Sequence, residues 1–230
     1  MIYGEYPAQS SVRTFMYNVY SLMSTALFVT AGTAYIVAKS PEFSMAIVTN
    51  TWALILIVAL QFGLLIGLNA FLQRISFATA LILFFLFAIS MGLTTSTIFL
   101  VYTEASIFST FFITAGMFGI MSLYGYVTRT DLTTVGNIAF MAMIGLVIAG
   151  LVNMFLRSSQ FDLVISAIGV LVFTVLTAYD TQKLKMLAHQ LFADHETVAK
   201  VSVVGALTLY LDFLNLFRFL LRFMGKKRND

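Results

Sequence analysis

Seven long apolar segments alternate with short polar stretches along the chain. They cover about residues 17–38, 51–72, 77–101, 106–127, 135–156, 162–182 and 199–223. Each is long enough for a membrane-spanning helix, which needs roughly 20 mostly apolar residues. The longest polar stretch, from residue 182 to about residue 198, separates the last two segments. The pattern predicts an all-α integral membrane protein with seven transmembrane helices.

Composition supports a membrane environment, since the 230 residues are 60% hydrophobic and only 10% charged. Globular domains are about 45–50% apolar and about 25% charged. Seven spans use nearly the whole chain, so we expect a single transmembrane domain over residues 1–230, with a short tail at 1–16 and a basic tail at 224–230. The absence of cysteine excludes disulfides and thiolate metal sites.

The basic residues indicate how the chain is oriented. With the N-terminus in the cytoplasm, the inside segments hold six lysines and arginines before the C-terminal tail, and the outside loops hold two. A full crossing of the seventh helix then places the basic tail outside, against this rule, and a re-entrant helix is the alternative. We favour the full crossing. The tail run Lys226–Arg228 indicates a lipid-headgroup or topology anchor rather than a nucleic-acid contact.

Two aspartates lie within the last two apolar segments. Asp180 follows an apolar run, and Asp212 is near the middle of the seventh segment. An ionised aspartate at the centre of a membrane helix costs roughly 2.5–3.5 kcal/mol, so such residues face the protein interior or a water path. Thr208 and Asn215 share a helix face with Asp212, and Thr177 lies one turn before Asp180. These neighbours are candidates to orient the two carboxyl groups.

A purely structural role for the aspartates is the alternative, because Lys183 follows Asp180 and two arginines, Arg218 and Arg222, follow Asp212. No zinc-protease, phosphate-loop or nucleophile-elbow motif is present. His189 and His195, in the polar stretch between the last two segments, are typical of a solvated loop. We therefore expect neither an enzyme nor a bound cofactor.

Three sequence segments resemble the Bax inhibitor-1 family, also called the transmembrane Bax inhibitor motif family. They are Ala178–Gln182, Leu209–Phe217 and Met121–Tyr126, the last followed by Thr128 and by Asp131–Leu132. The resemblance covers essentially the whole chain. It implies six helices wrapped around a central C-terminal helix.

Bacterial members of that family are described as pH-sensitive calcium leaks, so the resemblance implies the same activity here. Two aspartates that match Asp180 and Asp212 form its gate, and they bind the permeant calcium only transiently. The resemblance also implies that an arginine at the cytoplasmic end of helix two can pair with the helix-six aspartate, and Arg74 is the nearest equivalent by position. The segment between the two aspartates is several residues longer here than in the bacterial relative whose leak is best described.

Two functions follow as hypotheses. The first is a passive, pH-gated calcium path in the bacterial cytoplasmic membrane. Two carboxylates about 3 Å apart cannot both ionise easily and share a proton, and carboxylate oxygens suit a hard cation such as calcium. The alternative is a non-conducting regulatory protein that binds a membrane-bound AAA protease or other membrane partners. The expected partners are the lipid bilayer and calcium ions, and we expect no nucleic-acid partner.

Overall fold

The computed structural model describes residues 9–190 and 194–228. Within them the helices are α1 (Gln9–Ala38), α2 (Pro41–Thr49), α3 (Thr51–Ala70), α4 (Phe77–Thr95), α5 (Ile98–Val101), α6 (Glu104–Val127), α7 (Thr133–Leu156), α8 (Ser159–Gln190) and α9 (His195–Met224). Seven segments of the described chain are long and apolar enough to span a membrane, with α4 and α5 together forming the third. The predicted all-α integral membrane fold is confirmed.

The first helix begins earlier than the apolar pattern indicated. α1 starts at Gln9, so the predicted tail of residues 1–16 was wrong for residues 9–16. Val12 and Phe15 are only 3% and 2% exposed, which explains why this stretch folds onto the protein. Residues 1–8 of the predicted tail lie outside the described residues, as do residues 229–230 of the C-terminal tail.

The polar stretch 182–198 was wrongly predicted to be a loop. α8 continues to Gln190 and α9 already begins at His195, while residues 191–193 lie outside the described residues. The 32 residues of α8 make a helix about 48 Å long, against a hydrocarbon layer of about 30 Å. An untilted α8 therefore extends beyond the apolar layer, and the polar residues mark the edge of that layer rather than the end of the helix.

Asp194 caps the start of α9. Its side chain accepts a hydrogen bond from Thr197, which lowers the pKa of this exposed carboxyl, and its carbonyl accepts one from the Val198 amide at 3.1 Å. The exposed His189 and His195 flank this cap. Both histidines are exposed, as the sequence predicted, but they lie in α8 and α9 rather than in a loop.

The third apolar segment contains a helix break. α4 ends at Thr95 and α5 begins at Ile98. At the break the Ser96 hydroxyl donates to the Leu93 carbonyl at 2.7 Å, and the Thr97 hydroxyl donates to the Thr94 carbonyl at 2.9 Å. Side-chain bonds of this kind compete with the helical pattern and take up carbonyls that the break would leave unpaired.

The contacts divide the chain into two compact units. Unit 1 comprises Met1–Val101 with Leu187–Tyr210, and unit 2 comprises Tyr102–Met186 with Leu211–Asp230. The first part of α9 belongs to unit 1 and the second part to unit 2. The single domain over residues 1–230 stays a prediction.

The core of unit 1 is built around Tyr210, which is fully buried. The rings of Phe84 and Phe87 pack edge-on against it, with centroids 5.9 and 6.1 Å away. The Tyr210 hydroxyl lies 2.6 Å from the Thr30 hydroxyl, which donates to the Ala88 carbonyl at 2.9 Å. Tyr210 is therefore the donor to Thr30, and the bond joins α9 to α1.

The core of unit 2 is an aromatic cluster between α6 and the second part of α9. The ring of Phe213 lies 5.4 Å from that of Phe111 and 5.5 Å from that of Phe118. Together with the contacts of Tyr210 in unit 1, this packing makes α9 the most buried of the seven spans. That burial agrees with the prediction of a central C-terminal helix.

Residues 225–228 form a strap across one end of unit 2. The Thr103 amide donates to the Lys226 carbonyl at 3.1 Å, and the Lys226 amide donates to the Ser106 hydroxyl at 2.9 Å. Near this end the Nη1 atom of Arg222 lies 3.7 Å from the Oδ1 atom of Asp162, which forms an ion pair. The end of α9 thus lies beside the beginnings of α6 and α8. Because α8 leads away from this end to the start of α9, α9 returns to the end at which α8 began, which favours a full crossing over a re-entrant helix.

Candidate functional site

The carboxyl groups of Asp180 on α8 and Asp212 on α9 lie within hydrogen-bonding reach of each other. Asp180 is half-buried and Asp212 is 5% exposed. An ionised carboxylate has no hydrogen to donate, so a hydrogen bond between the two requires a proton on one of them. The Oδ2 atom of Asp212 is buried and has no hydrogen-bond partner among the described residues. The sharing of a proton by the two carboxyl groups stays a prediction.

Aromatic packing sets the register of α8 against α9 beside the pair. The ring of Phe173 stacks on that of Phe219 with centroids 5.6 Å apart. Gly169 lets α9 approach closely, since a Cβ there would lie 2.5 Å from the Phe219 ring. Gly169, Phe173 and Asp180 recur at helical spacing, so they occupy the same face of α8.

The predicted supporting residues make bonds of their own. The Thr177 hydroxyl donates to the Phe173 carbonyl at 2.7 Å, and the Thr208 hydroxyl donates to the Val204 carbonyl at 3.1 Å. With its hydrogen used in this way, each hydroxyl can only accept from a carboxyl, which requires the protonated form. Asn215 is half-buried one turn from Asp212. Orientation of the pair by these three residues stays a prediction.

The cations named in the sequence have different surroundings. Lys183 lies one turn after Asp180 and interacts electrostatically with it. Arg222 pairs with Asp162. The alternative of a purely structural role for the two aspartates stays a prediction. Arg74 lies exposed in the turn that follows α3, in unit 1. Its role as a counter-charge to the pair stays a prediction.

The opposite face of α8 carries a set of contacts that the sequence analysis did not single out. Gln182 makes two hydrogen bonds to the α6–α7 connection: its side chain accepts from the Leu132 amide at 2.9 Å and donates to the Thr130 carbonyl at 2.8 Å. The hydroxyls of Ser122 and Thr181 lie 3.0 Å apart. The helical spacing of Ala178, Thr181, Gln182 and Lys185 is the signal that indicates a second packed face.

This arrangement defines a class of protein: an α-helical integral membrane protein with two neighbouring carboxyl groups, one of them buried, between two antiparallel spans. The family described as "Inhibitor of apoptosis-promoting Bax1" matches residues 12–229. The chain therefore belongs to the Bax inhibitor-1 family, as its motifs indicated.

Several bacterial proteins are similar over almost their whole length. The inner membrane protein YbhL of Escherichia coli K12 is 48% identical over 96% of this chain and 94% of its own. An uncharacterized protein of Borreliella burgdorferi is 44% identical over 94% of this chain and 93% of its own. The Rickettsia prowazekii protein RP147 is 41% identical over 95% and 92%.

Proposed function

We propose that this protein is a passive, pH-sensitive path for calcium across a bacterial inner membrane, with the Asp180–Asp212 pair as its gate. The observation that carries the proposal is the contact between two carboxyl groups on adjacent antiparallel spans, one of them 5% exposed. Residues of this kind inside a membrane protein mark ion or proton pathways.

The proton controls whether the two helices hold together. At low pH the pair shares one proton and carries a single negative charge, and the O–H···O bond joins α8 to α9. Rising pH removes that proton and leaves two negative charges in contact. At a separation of 4 Å and an effective dielectric constant of 20, their repulsion is about 4 kcal/mol. This repulsion separates the carboxylates or draws in a cation, so the path opens as the pH rises.

Calcium suits the opened pair. Calcium binds six to eight oxygen ligands in general, and two carboxylates supply at most four. In the described part of the chain no group of three or more His, Cys, Asp or Glu side chains is placed to hold a metal. A passing ion would therefore keep much of its water, which favours transit over storage. The buried Oδ2 of Asp212, which has no hydrogen-bond partner among the described residues, is available as a ligand for such an ion.

The proposed location and orientation have separate support. The Escherichia coli relative is named an inner membrane protein. The distribution of lysine and arginine, six against two, favours a cytoplasmic N-terminus. With a full crossing by α9, the strap of residues 225–228 then lies on the periplasmic side.

Calcium flux into liposomes that contain the purified protein tests the proposal across a pH series. Asp180→Asn and Asp212→Asn keep the side-chain size and remove the charge, so each is expected to abolish the pH dependence. The pair titrates as a unit, so the double variant is expected to resemble either single one.

Asp162→Asn is the matched control, because Asp162 lies on the same helix and pairs with Arg222 away from the site. It is expected to keep the wild-type profile. If both pair variants also keep that profile, the gate lies elsewhere. If the wild-type protein passes no calcium at all, the non-conducting regulatory function is the better account.

A further inference from the structure

We infer that Gln182 is a positioning residue of the aspartate pair, acting as an amide clamp that fixes Asp180 by holding α8 to the α6–α7 connection. The inference rests on the proposed function for one of its two readouts. Gln182 is 6% exposed and follows Asp180 by two residues. A buried amide at this place needs a reason, since burial of an unpaired polar group is costly.

The clamp uses both ends of one side chain. The Gln182 Oε1 atom accepts from the Leu132 amide at 2.9 Å, and the Nε2 atom donates to the Thr130 carbonyl at 2.8 Å. A carboxamide offers an acceptor and a donor side by side in one plane at any pH. The side chain therefore takes up two backbone groups of the same short connection, and it fixes the height of α8 against it.

The neighbours of Gln182 tighten the same contact. The hydroxyls of Ser122 and Thr181 lie 3.0 Å apart, and the Lys185 ammonium donates to the Tyr126 carbonyl at 2.6 Å. Gly125 lets the backbone of Ala178 approach, since a Cβ there would lie 2.8 Å from the Ala178 carbonyl carbon. α8 is thus fixed on α6 over two turns that include Asp180.

Gln182 acts on the pair only through the helix backbone. At 3.6 residues per turn, two residues separate side chains by about 200° around the axis. Gln182 therefore faces the α6–α7 connection while Asp180 faces α9. Asp180 therefore projects from a helix that is held by these contacts. Separation of the carboxylates leaves α8 in place against α6 and the α6–α7 connection.

The charges of other groups do not explain a change in the pH profile when Gln182 is replaced by methionine. Among the described residues, the ionisable groups in contact with this part of α8 or on it are Tyr126 on α6, Asp212 on α9, and Tyr179, Lys183 and Lys185 on α8 itself. Arg129 and Asp131 are exposed and adjoin the connection residues that Gln182 binds. The sequence of α7 over Thr133–Leu156 contains no charged residue. Gln182→Met alters none of these charges, so any shift in a pH profile must come from the position of Asp180.

The test is Gln182→Met, which keeps the length of the side chain and loses both hydrogen bonds. Displacement of Asp180 in any direction distorts the hydrogen bond that holds the shared proton, so the pair releases that proton more readily. The pH midpoint of calcium flux is expected to shift to lower pH by about one unit. Gln61→Met is the matched control, because that amide donates to the Ser90 carbonyl at 3.0 Å within unit 1. It is expected to keep the wild-type midpoint.

A second variant guards against failure to fold. Ser122→Ala removes one hydroxyl from the same contact and is expected to shift the midpoint in the same direction by a smaller amount. The second readout is the pH dependence of the thermal unfolding midpoint in detergent, which reports the proton of the pair whether or not an ion passes.

The outcomes separate this inference from the proposed function. If the wild-type protein shows no flux while Gln182→Met shifts the pH dependence of unfolding and Gln61→Met does not, the proposed function fails and the positioning role stands. If flux depends on the pair but Gln182→Met and Ser122→Ala keep wild-type midpoints in both assays, the inference is overturned. Lower stability with an unmoved midpoint also overturns it, because the clamp is then structural only.

Discussion

Gly125→Ala tests the close approach of α6 to α8, on which the whole site depends. A Cβ at this position would lie 2.8 Å from the carbonyl carbon of Ala178 and 2.9 Å from its Cα. Carbon atoms in contact are normally about 3.5–4.0 Å apart. The obstructing atoms belong to the backbone, which cannot rotate away as a side chain would. The two helices must therefore separate by about 1 Å.

The size of the effect follows from three contributions. Forcing a methyl group into a packed core costs about 1–3 kcal/mol. A separation of about 1 Å also takes the 3.0 Å contact between Ser122 and Thr181 beyond hydrogen-bond range, which adds about 1 kcal/mol. Alanine regains about 0.5–1 kcal/mol over glycine within a helix. The net loss is about 1–3.5 kcal/mol, or a fall in Tm of about 2–14 °C for a chain of this size.

Thermal unfolding in one detergent, followed by the helical circular dichroism signal, measures this loss. Gly119→Ala is the matched control, because Gly119 lies on the same helix with nothing within 4 Å of its added Cβ. That control is expected to keep or slightly raise the Tm. If Gly125→Ala unfolds at the same temperature as Gly119→Ala, α6 and α8 do not approach as closely as described.

Four further predictions concern other parts of the chain. Reporters fused at the N-terminus and in the α8–α9 connection are both expected to score as cytoplasmic, and a periplasmic score for the connection would reverse the orientation. Arg74→Gln removes the counter-charge that the family resemblance assigns, so the pH midpoint of calcium flux is expected to move to higher pH without a flatter response; an unmoved midpoint would remove Arg74 from the site. Tyr210→Phe deletes the bond to Thr30 and is expected to cost about 1 kcal/mol in thermal unfolding, whereas an unchanged Tm would contradict the buried bond. Deletion of residues 2–8, which spares α1, is expected to change protein turnover but not flux if a protease grips this end, and unchanged turnover would count against the protease-partner alternative.

The sequence predicted the seven spans because their signal is hydrophobicity, which depends on local composition alone. It placed the ends of α1 and α8 wrongly, because the helical hydrogen-bond pattern continues into polar residues such as those before Gln190. The break at Ser96–Thr97 was also missed. Its cause is a local exchange of hydrogen bonds, which leaves no mark on hydropathy.

The two aspartates could be predicted because a charge in an apolar run is expensive and has to serve a purpose. Their contact could not, since it depends on the register of α8 against α9, which the ring of Phe219 on Gly169 helps to set. Gln182 belongs to one of the family motifs, but its contacts were overlooked for a related reason. A polar residue at the end of an apolar run resembles an interfacial residue until the connection that it binds is known.

The burial of α9 has a consequence for the biogenesis of the protein. α9 is synthesised after the other six spans, yet it is the most buried of them. Until it inserts, the nascent chain presents Asp180 and the rings of Phe111 and Phe118 without their partners on α9. We expect an insertase or a chaperone to shield these groups in the six-span intermediate. The strap of residues 225–228 on Thr103 and Ser106 can form only when that insertion is complete.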